Sequence, residues 1–156
     1  MKLLIFTEGT IIMHKNAQGK NREEIVEQVK ENEESVDDFA TYVPIGNAPE
    51  KIKAWQEQGT EIYYLTSRTE KNEIEEIKNV LKKYHFPERE LLYRQAGEEY
   101  KDVAERVMPN ILLEDDCESI GGESEMTYTH INLTIKPKIR PIVVKEFAGI
   151  DNINLD

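Results

Sequence analysis

Lys2-Leu3-Leu4-Ile5-Phe6-Thr7-Glu8-Gly9-Thr10 opens the chain with an apolar run, Leu3 to Phe6, that stops at a glycine–threonine pair. Apolar residues without alternation suit a strand covered on both faces, as in a parallel sheet. The run is too short for a secretory leader and no small-residue cleavage site follows it. It reads as a first buried strand whose carboxyl end runs into Thr7 and Glu8.

Working outward, the same pattern recurs. Glu61 to Leu65, Leu91-Leu92-Tyr93 and Asn110 to Glu114 read as further strands. His130 to Ile135 and Ile142 to Val144 read as late strands separated by Pro137 and Pro141. Helical signals lie between them. Asn21 caps a helix with Glu24 three residues on, and Ile25, Val26 and Val29 share its face. Pro49 sits in the first turn of a helix carrying Ile52 and Trp55 and stopped by Gly59. Thr66-Ser67-Arg68-Thr69 turns into a long helix with Ile74, Ile77, Leu81 and Tyr84 on one stripe, ended by Pro87. Glu98 to Val107 forms another helix. Ile11-Ile12-Met13 reads as the first arm of a hairpin turning at residues 16–19. Alternating strands and helices imply βαβ units, so the expected fold is α/β: a three-layer, Rossmann-like parallel sheet. One domain spans 1–156, with a short hairpin and helix insert, residues 11–41, after the first strand.

Composition sets the outer limits. The chain has 156 residues, which suits one core, and 38% are hydrophobic, too many for a disordered chain. No apolar run is long enough to span a bilayer, so no membrane role is expected. The net charge of -11 argues against nucleic acid or an anionic membrane as partner. A pocket's local field can still oppose the global one, so the charge does not exclude a small phosphorylated ligand. Cys117 stands alone, which excludes an internal disulfide and fits a reducing, cytoplasmic setting. The acidic run from Lys20 to Asp38 reads as a solvated helix face. The basic stretch from Thr127 to Lys145 reads as protection of an exposed sheet edge.

Ligands of parallel sheets bind beyond the carboxyl ends of the strands. Three such segments carry chemistry: Phe6 to Thr10, Thr66-Ser67-Arg68 and Glu114-Asp115-Asp116. Thr66 and Ser67 supply hydroxyls at a turn into a helix, where free N–H groups favour an anion or the hydroxyls simply cap. Three consecutive acids repel one another unless solvent or a cation screens them, so Asp115 and Asp116, with the Glu8 carbonyl, are candidate ligands for a weakly held divalent cation.

The ordered set resembles the haloacid dehalogenase-like superfamily. Ile5-Phe6-Thr7-Glu8-Gly9-Thr10 is similar to its first motif, an apolar strand followed by Asp-x-Asp-Gly-Thr. Tyr64-Leu65-Thr66-Ser67-Arg68 is similar to the second motif, Lys101 stands where the third-motif lysine is expected, and Ile111 to Asp116 resembles the fourth, a strand ending in paired acids. The resemblance implies an aspartyl nucleophile, an acid/base aspartate two residues on, a hydroxyl and a lysine on the phosphate, and Mg²⁺ on the last acids. It assigns phosphate binding to Thr66, Ser67 and Lys101, and metal binding to Asp115 and Asp116. The departure comes at the nucleophile, where Phe6 can neither attack phosphorus nor hold a metal. Glu8 occupies the acid/base position, and Thr7 is the alternative hydroxyl. The expected function is therefore a phosphatase-like protein with weak or absent hydrolysis that keeps an anion- and Mg²⁺-capable pocket. The alternatives are a working Mg²⁺-dependent phosphatase using Thr7 or Glu8, and a scaffold-only interaction protein.

Overall fold

A computed structural model describes residues 1–156. Its centre is a five-stranded sheet in the order β5 (Leu91–Leu92), β4 (Glu61–Leu65), β1 (Lys2–Phe6), β6 (Ile111–Asp115), β7 (Arg140–Val144), every neighbouring pair parallel. A separate two-stranded ribbon pairs β2 (Ile12–Met13) antiparallel with β3 (Val43–Pro44). The helices are α1 (Arg22–Lys30), α2 (Ala48–Glu57), α3 (Lys71–Lys83), α4 (Tyr100–Val107) and a single turn, α5 (Thr127–His130). No helix is long and apolar enough to cross a membrane.

The period-two pleat of the strands builds the layers. Leu3 and Ile5, Ile62 and Tyr64, and Ile111 and Leu113 face one side, where they pack with Ile52 and Trp55 of α2 and Ile77, Val80 and Leu81 of α3. Leu4, Leu65 and Leu112 face the other side and pack with Val103 and Ala104 of α4. Leu3, Leu4 and Ile5 are completely buried; each contributes about 1.5–3 kcal/mol by leaving water. This explains why the first run carries no polar alternation. The expected three-layer α/β fold is the observed one.

Several local expectations change. Ile12–Met13 finds its partner at Val43–Pro44 and not across the turn at 16–19, where a short 3₁₀ turn forms instead. The small ribbon thus closes the base of the 11–41 insert. Residues 130–135 form no strand. Asn132 Oδ1 accepts the Thr134 N–H (3.0 Å) and hydroxyl (2.9 Å), a local turn that competes with sheet pairing, and Leu133 is left 81% exposed. The long helix begins at Lys71, not at Thr66, leaving 66–70 as a loop. The Asn21–Glu24 capping box forms as expected. β7 is the sheet edge, and Pro141 within it fits that position.

The strand order also places the site. From β1 the chain moves outward to β4 and β5, then returns past β1 to β6. The crevice at the carboxyl ends of β1 and β6 is therefore a topological switch point, the usual ligand position in an open parallel sheet.

Candidate functional site

A cavity of about 150 Å³ lies at this crevice. It is smaller than the roughly 300–1,000 Å³ clefts that hold drug-sized ligands. Phe6, Glu8 and Gly9 line it from the end of β1, Glu114, Asp115 and Cys117 from β6, Ser67 from the loop after β4, and Glu146 from beyond β7. His14, Val29 and Val36 of the insert complete its outer wall.

The acidic half is built from two strands. Asp115, Asp116 and Glu146 each present a carboxylate oxygen within 4.8 Å of the others. Asp115 ends β6 and is almost wholly buried. Its Oδ2 accepts the Thr10 hydroxyl (2.9 Å) and its Oδ1 the Cys117 N–H (2.9 Å). Glu146 is held through Ser119, whose N–H and hydroxyl each donate to it at 2.7 Å. Asp116 Oδ1 in turn accepts the Glu146 N–H at 3.1 Å. Burial first, with the neighbouring carboxylates adding to it, pushes the Asp115 pKa up to about 6. Burial likewise raises Glu146. Gly9 lets the two strands meet: it takes φ +85°, and a Cβ there would stand 2.9 Å from Asp115 Oδ2. Three close carboxylates are hard oxygen donors and fit a divalent cation with several retained waters. The cluster is wider than the expected pair, because Glu146 joins Asp115 and Asp116. Glu114 turns to the opposite sheet face, where its carboxylate accepts the Thr127 (2.8 Å) and Tyr128 (2.9 Å) N–H groups.

The hydroxyl half is already engaged by the protein itself. Glu8 Oε1 accepts the Thr66 hydroxyl (2.7 Å), the Ser67 hydroxyl (2.7 Å) and the Ser67 N–H (2.8 Å). The Thr7 hydroxyl contacts the other oxygen. Thr66 and Ser67 converge on one group, and that group is the Glu8 carboxylate. The donating N–H is a loop amide and not a helix terminus, since α3 starts later. Burial raises the Glu8 pKa, and the bonds from Thr66 and Ser67 pull against that rise. Thr7 is fully buried, with its hydroxyl also 3.2 Å from the Leu65 carbonyl.

An aromatic pair closes the floor. Phe6 shares the sheet face of Leu4, and its ring meets the Tyr100 ring edge-on, centroids 5.1 Å apart. Lys101, the next residue, does not line this cavity. It lines a neighbouring cleft with Arg94 and Thr127. The cation beside the hydroxyl cradle is Arg94, whose Nη2 donates to the Ser67 carbonyl (3.2 Å) and whose Cζ lies 4.2 Å from the Tyr100 ring centroid.

Comparison with known proteins gives the architecture a context. No protein-family model and no curated protein matches the sequence. Among solved structures, the class C acid phosphatase from Bacillus anthracis aligns with 95% of this chain and 67% of its own, at 14% identity and a TM-score of 0.60. The same enzyme with tungstate bound aligns over 95% of this chain and 68% of its own, at 12% identity and a TM-score of 0.56. A chain of the Pnkp1/Rnl/Hen1 complex aligns over 93% of this chain and 46% of its own, at 14% identity and a TM-score of 0.52. The fold is the one shared with these class C acid phosphatase structures. At such identity the likeness concerns architecture alone, and chemistry has to be argued from the residues.

Two residues of this site escaped the sequence. Glu146 and Arg94 both follow strands, β7 and β5, at the same carboxyl edge that singles out Asp115 and Thr66. That rule, applied to all five strands, finds them.

Proposed function

We propose that this chain binds a small anionic ligand and a divalent cation in a phosphatase-type cavity without hydrolysing phosphate esters. The observation that carries the reading is the pairing of Phe6 with Tyr100 at the floor of the cavity. An apolar ring takes the position where the family resemblance calls for an attacking carboxylate, and a phenyl ring can neither attack phosphorus nor ligate a metal.

The residues that remain favour binding. Asp115, Asp116 and Glu146 suit Mg²⁺, which when bound would neutralise charge between these acids and an anionic ligand. Thr66 and Ser67 offer two hydroxyls and an amide to an anion once the Glu8 side chain leaves them. The alternative, a phosphatase using Thr7, requires that hydroxyl to reach a substrate, and it is completely buried. Glu8 as acid/base requires a free carboxylate, and both its oxygens are engaged. Val29 and Val36 on the outer wall make the 11–41 insert a small flap over the site.

The test has two arms. An aryl phosphate incubated with the protein and Mg²⁺ should show no turnover above buffer. Mg²⁺ titrated calorimetrically should bind the wild type and not Asp115→Asn. Turnover abolished by Thr7→Ala or Glu8→Gln would overturn the non-hydrolytic reading, and equal heats from both proteins would remove the cation.

A further inference from the structure

Tyr100 lines a second cleft besides the central cavity, about 210 Å³ in volume, and there the balance of charge is unusual for this protein. Arg94, Lys101 and His130 all border it. In a chain of net charge -11, basic side chains have abundant acidic partners. Arg22, Arg68, Arg89 and Arg106 each pair with a glutamate. No carboxylate lies within ion-pair distance of Arg94, Lys101 or His130. Glu99 and Glu125 also line the cleft, but both are exposed, so water and salt screen them.

Arg94 is the most informative of the three. Stacking on Tyr100 engages the face of its guanidinium, while the N–H donors lie in the guanidinium plane and still need acceptors. One of them, on Nη2, meets the Ser67 carbonyl. Its Nε is buried and has no partner. The Nε of Arg22 is also unpartnered, yet that guanidinium meets Glu118 through Nη2. Arg94 has neither an ion pair nor a full set of acceptors. Thr127 adds a second, independent sign. It borders the same cleft, is 2% exposed, and its hydroxyl faces the Glu114 carboxylate that accepts its N–H without reaching full hydrogen-bond geometry. Two of the three unpartnered buried polar side-chain atoms in the protein therefore belong to residues of one cleft. Buried polar groups are nearly always satisfied, so a cluster of exceptions marks a place where a partner is missing.

We infer that the cleft bordered by Arg94, Lys101, Thr127 and His130 is an anion site for a phosphate-class oxyanion, separate from the acidic cavity on the other face of the Tyr100 partition. A tetrahedral oxyanion matches the donors in kind. It accepts from a guanidinium edge, an ammonium and a hydroxyl at once, and it supplies the negative charge that Arg94 lacks. The Thr66–Ser67 cradle is not involved, because the Glu8 carboxylate holds it. Nor does the site depend on a cation, since Asp115 and Asp116 do not border this cleft.

The test is binding of inorganic phosphate to the full chain in the presence of a chelator, followed by calorimetry and by amide chemical shifts. Saturable binding is expected, with the largest shifts at Thr127 and Arg94. Arg94→Gln should weaken it at least about tenfold, the loss of one charge-assisted hydrogen bond. Arg94→Gln perturbs a partly buried residue, so Lys101→Gln, and His130→Gln at an exposed position, serve as second variants, each weakening binding in a protein of unchanged melting temperature. Arg106→Gln, at a basic residue outside the cleft that pairs with Glu98, should bind phosphate as the wild type does. Glycerol phosphate used in place of phosphate identifies the occupant: tighter binding means an ester, weaker binding the free ion, and loss of either ligand's binding in Arg94→Gln supports the cleft. No saturable binding by the wild type overturns the inference. So does binding lost in Thr66→Val but kept in Lys101→Gln and His130→Gln, which would put the anion in the central cavity.

Discussion

Asp115→Asn should make the protein more stable at neutral pH when divalent cations are absent. Asp115 is buried, and its pKa is pushed from 3.8 up to about 6. Ionising it therefore costs about 3 kcal/mol more in the folded protein than in the unfolded chain. The sign follows from linkage. Between these two values the folded state binds more protons than the unfolded state, so stability falls as pH rises through that window. Above it the whole cost is present. Asparagine removes the charge and keeps one acceptor, so one of the two contacts from Thr10 and Cys117 is lost. That loss is worth about 1–1.5 kcal/mol. The net gain is about 1–2 kcal/mol, or roughly 3–6 °C in melting temperature for a chain of this size. Thermal unfolding in chelator at pH 7.5 and near pH 4 reads it: the variant should lead at the higher pH and lose its lead at the lower. Mg²⁺ should then raise the melting temperature of the wild type alone. A variant less stable than wild type at pH 7.5, or one that gains equally from Mg²⁺, refutes the account of an uncompensated acidic cluster.

Three further outcomes follow from the geometry. Glu8→Ala should free the Thr66 and Ser67 donors and create phosphate binding that Ser67→Ala abolishes, measured by calorimetry in the Lys101→Gln background; no new binding would mean the cradle closes when Glu8 leaves. Gly9→Ala should destabilise by about 1–3 kcal/mol, because a positive φ and a Cβ 2.9 Å from Asp115 Oδ2 act together; denaturant unfolding checks it, and a neutral effect would show that the β1–β6 edge relaxes easily. Asn21→Ala should cost about 1 kcal/mol by removing the side-chain acceptor of the Glu24 N–H (2.9 Å), while Asn21→Gly costs less; equal losses would mean that this hydrogen bond carries no stability.

How far the sequence reaches depends on how local the governing physics is. The parallel strands announce themselves because burial on both faces leaves no polar alternation, so β1, β4 and β6 fall where the apolar runs do. The capping box is equally local: Asn21 and Glu24 lie within one turn of helix. Pairing partners at long range are not legible in this way. Ile12–Met13 looks like a hairpin arm, and only the packing of the insert selects Val43–Pro44 over a nearer strand. Residues 130–135 look extended because Ile131, Leu133 and Ile135 alternate, yet the Asn132 side chain satisfies Thr134 locally and the segment pairs with no strand. At the site, Asp115, Asp116, Thr66 and Ser67 are visible from their places after strands. Glu146 follows β7 under the same rule, but the basic stretch before it reads as an edge and draws attention away from its end. The engagement of Glu8 by Thr66 and Ser67 joins residues 58 and 59 positions apart, and no spacing rule foretells it.

The Glu8 carboxylate also changes what a binding measurement means. It is a competitor covalently attached beside the donors it occupies, and its local concentration is set by the side chain's few torsions and not by supply. Even a short flexible linker gives an effective concentration on the order of millimolar, and a single side chain is a far tighter tether. A free anion entering the cradle meets only the fraction of molecules in which Glu8 has swung away. If that fraction is about 1%, the apparent affinity is about 100-fold weaker than the intrinsic one. Whatever moves Glu8, be it a proton on its carboxylate or a shift of the insert, would act as a gain control on the cavity without touching any residue that contacts the ligand.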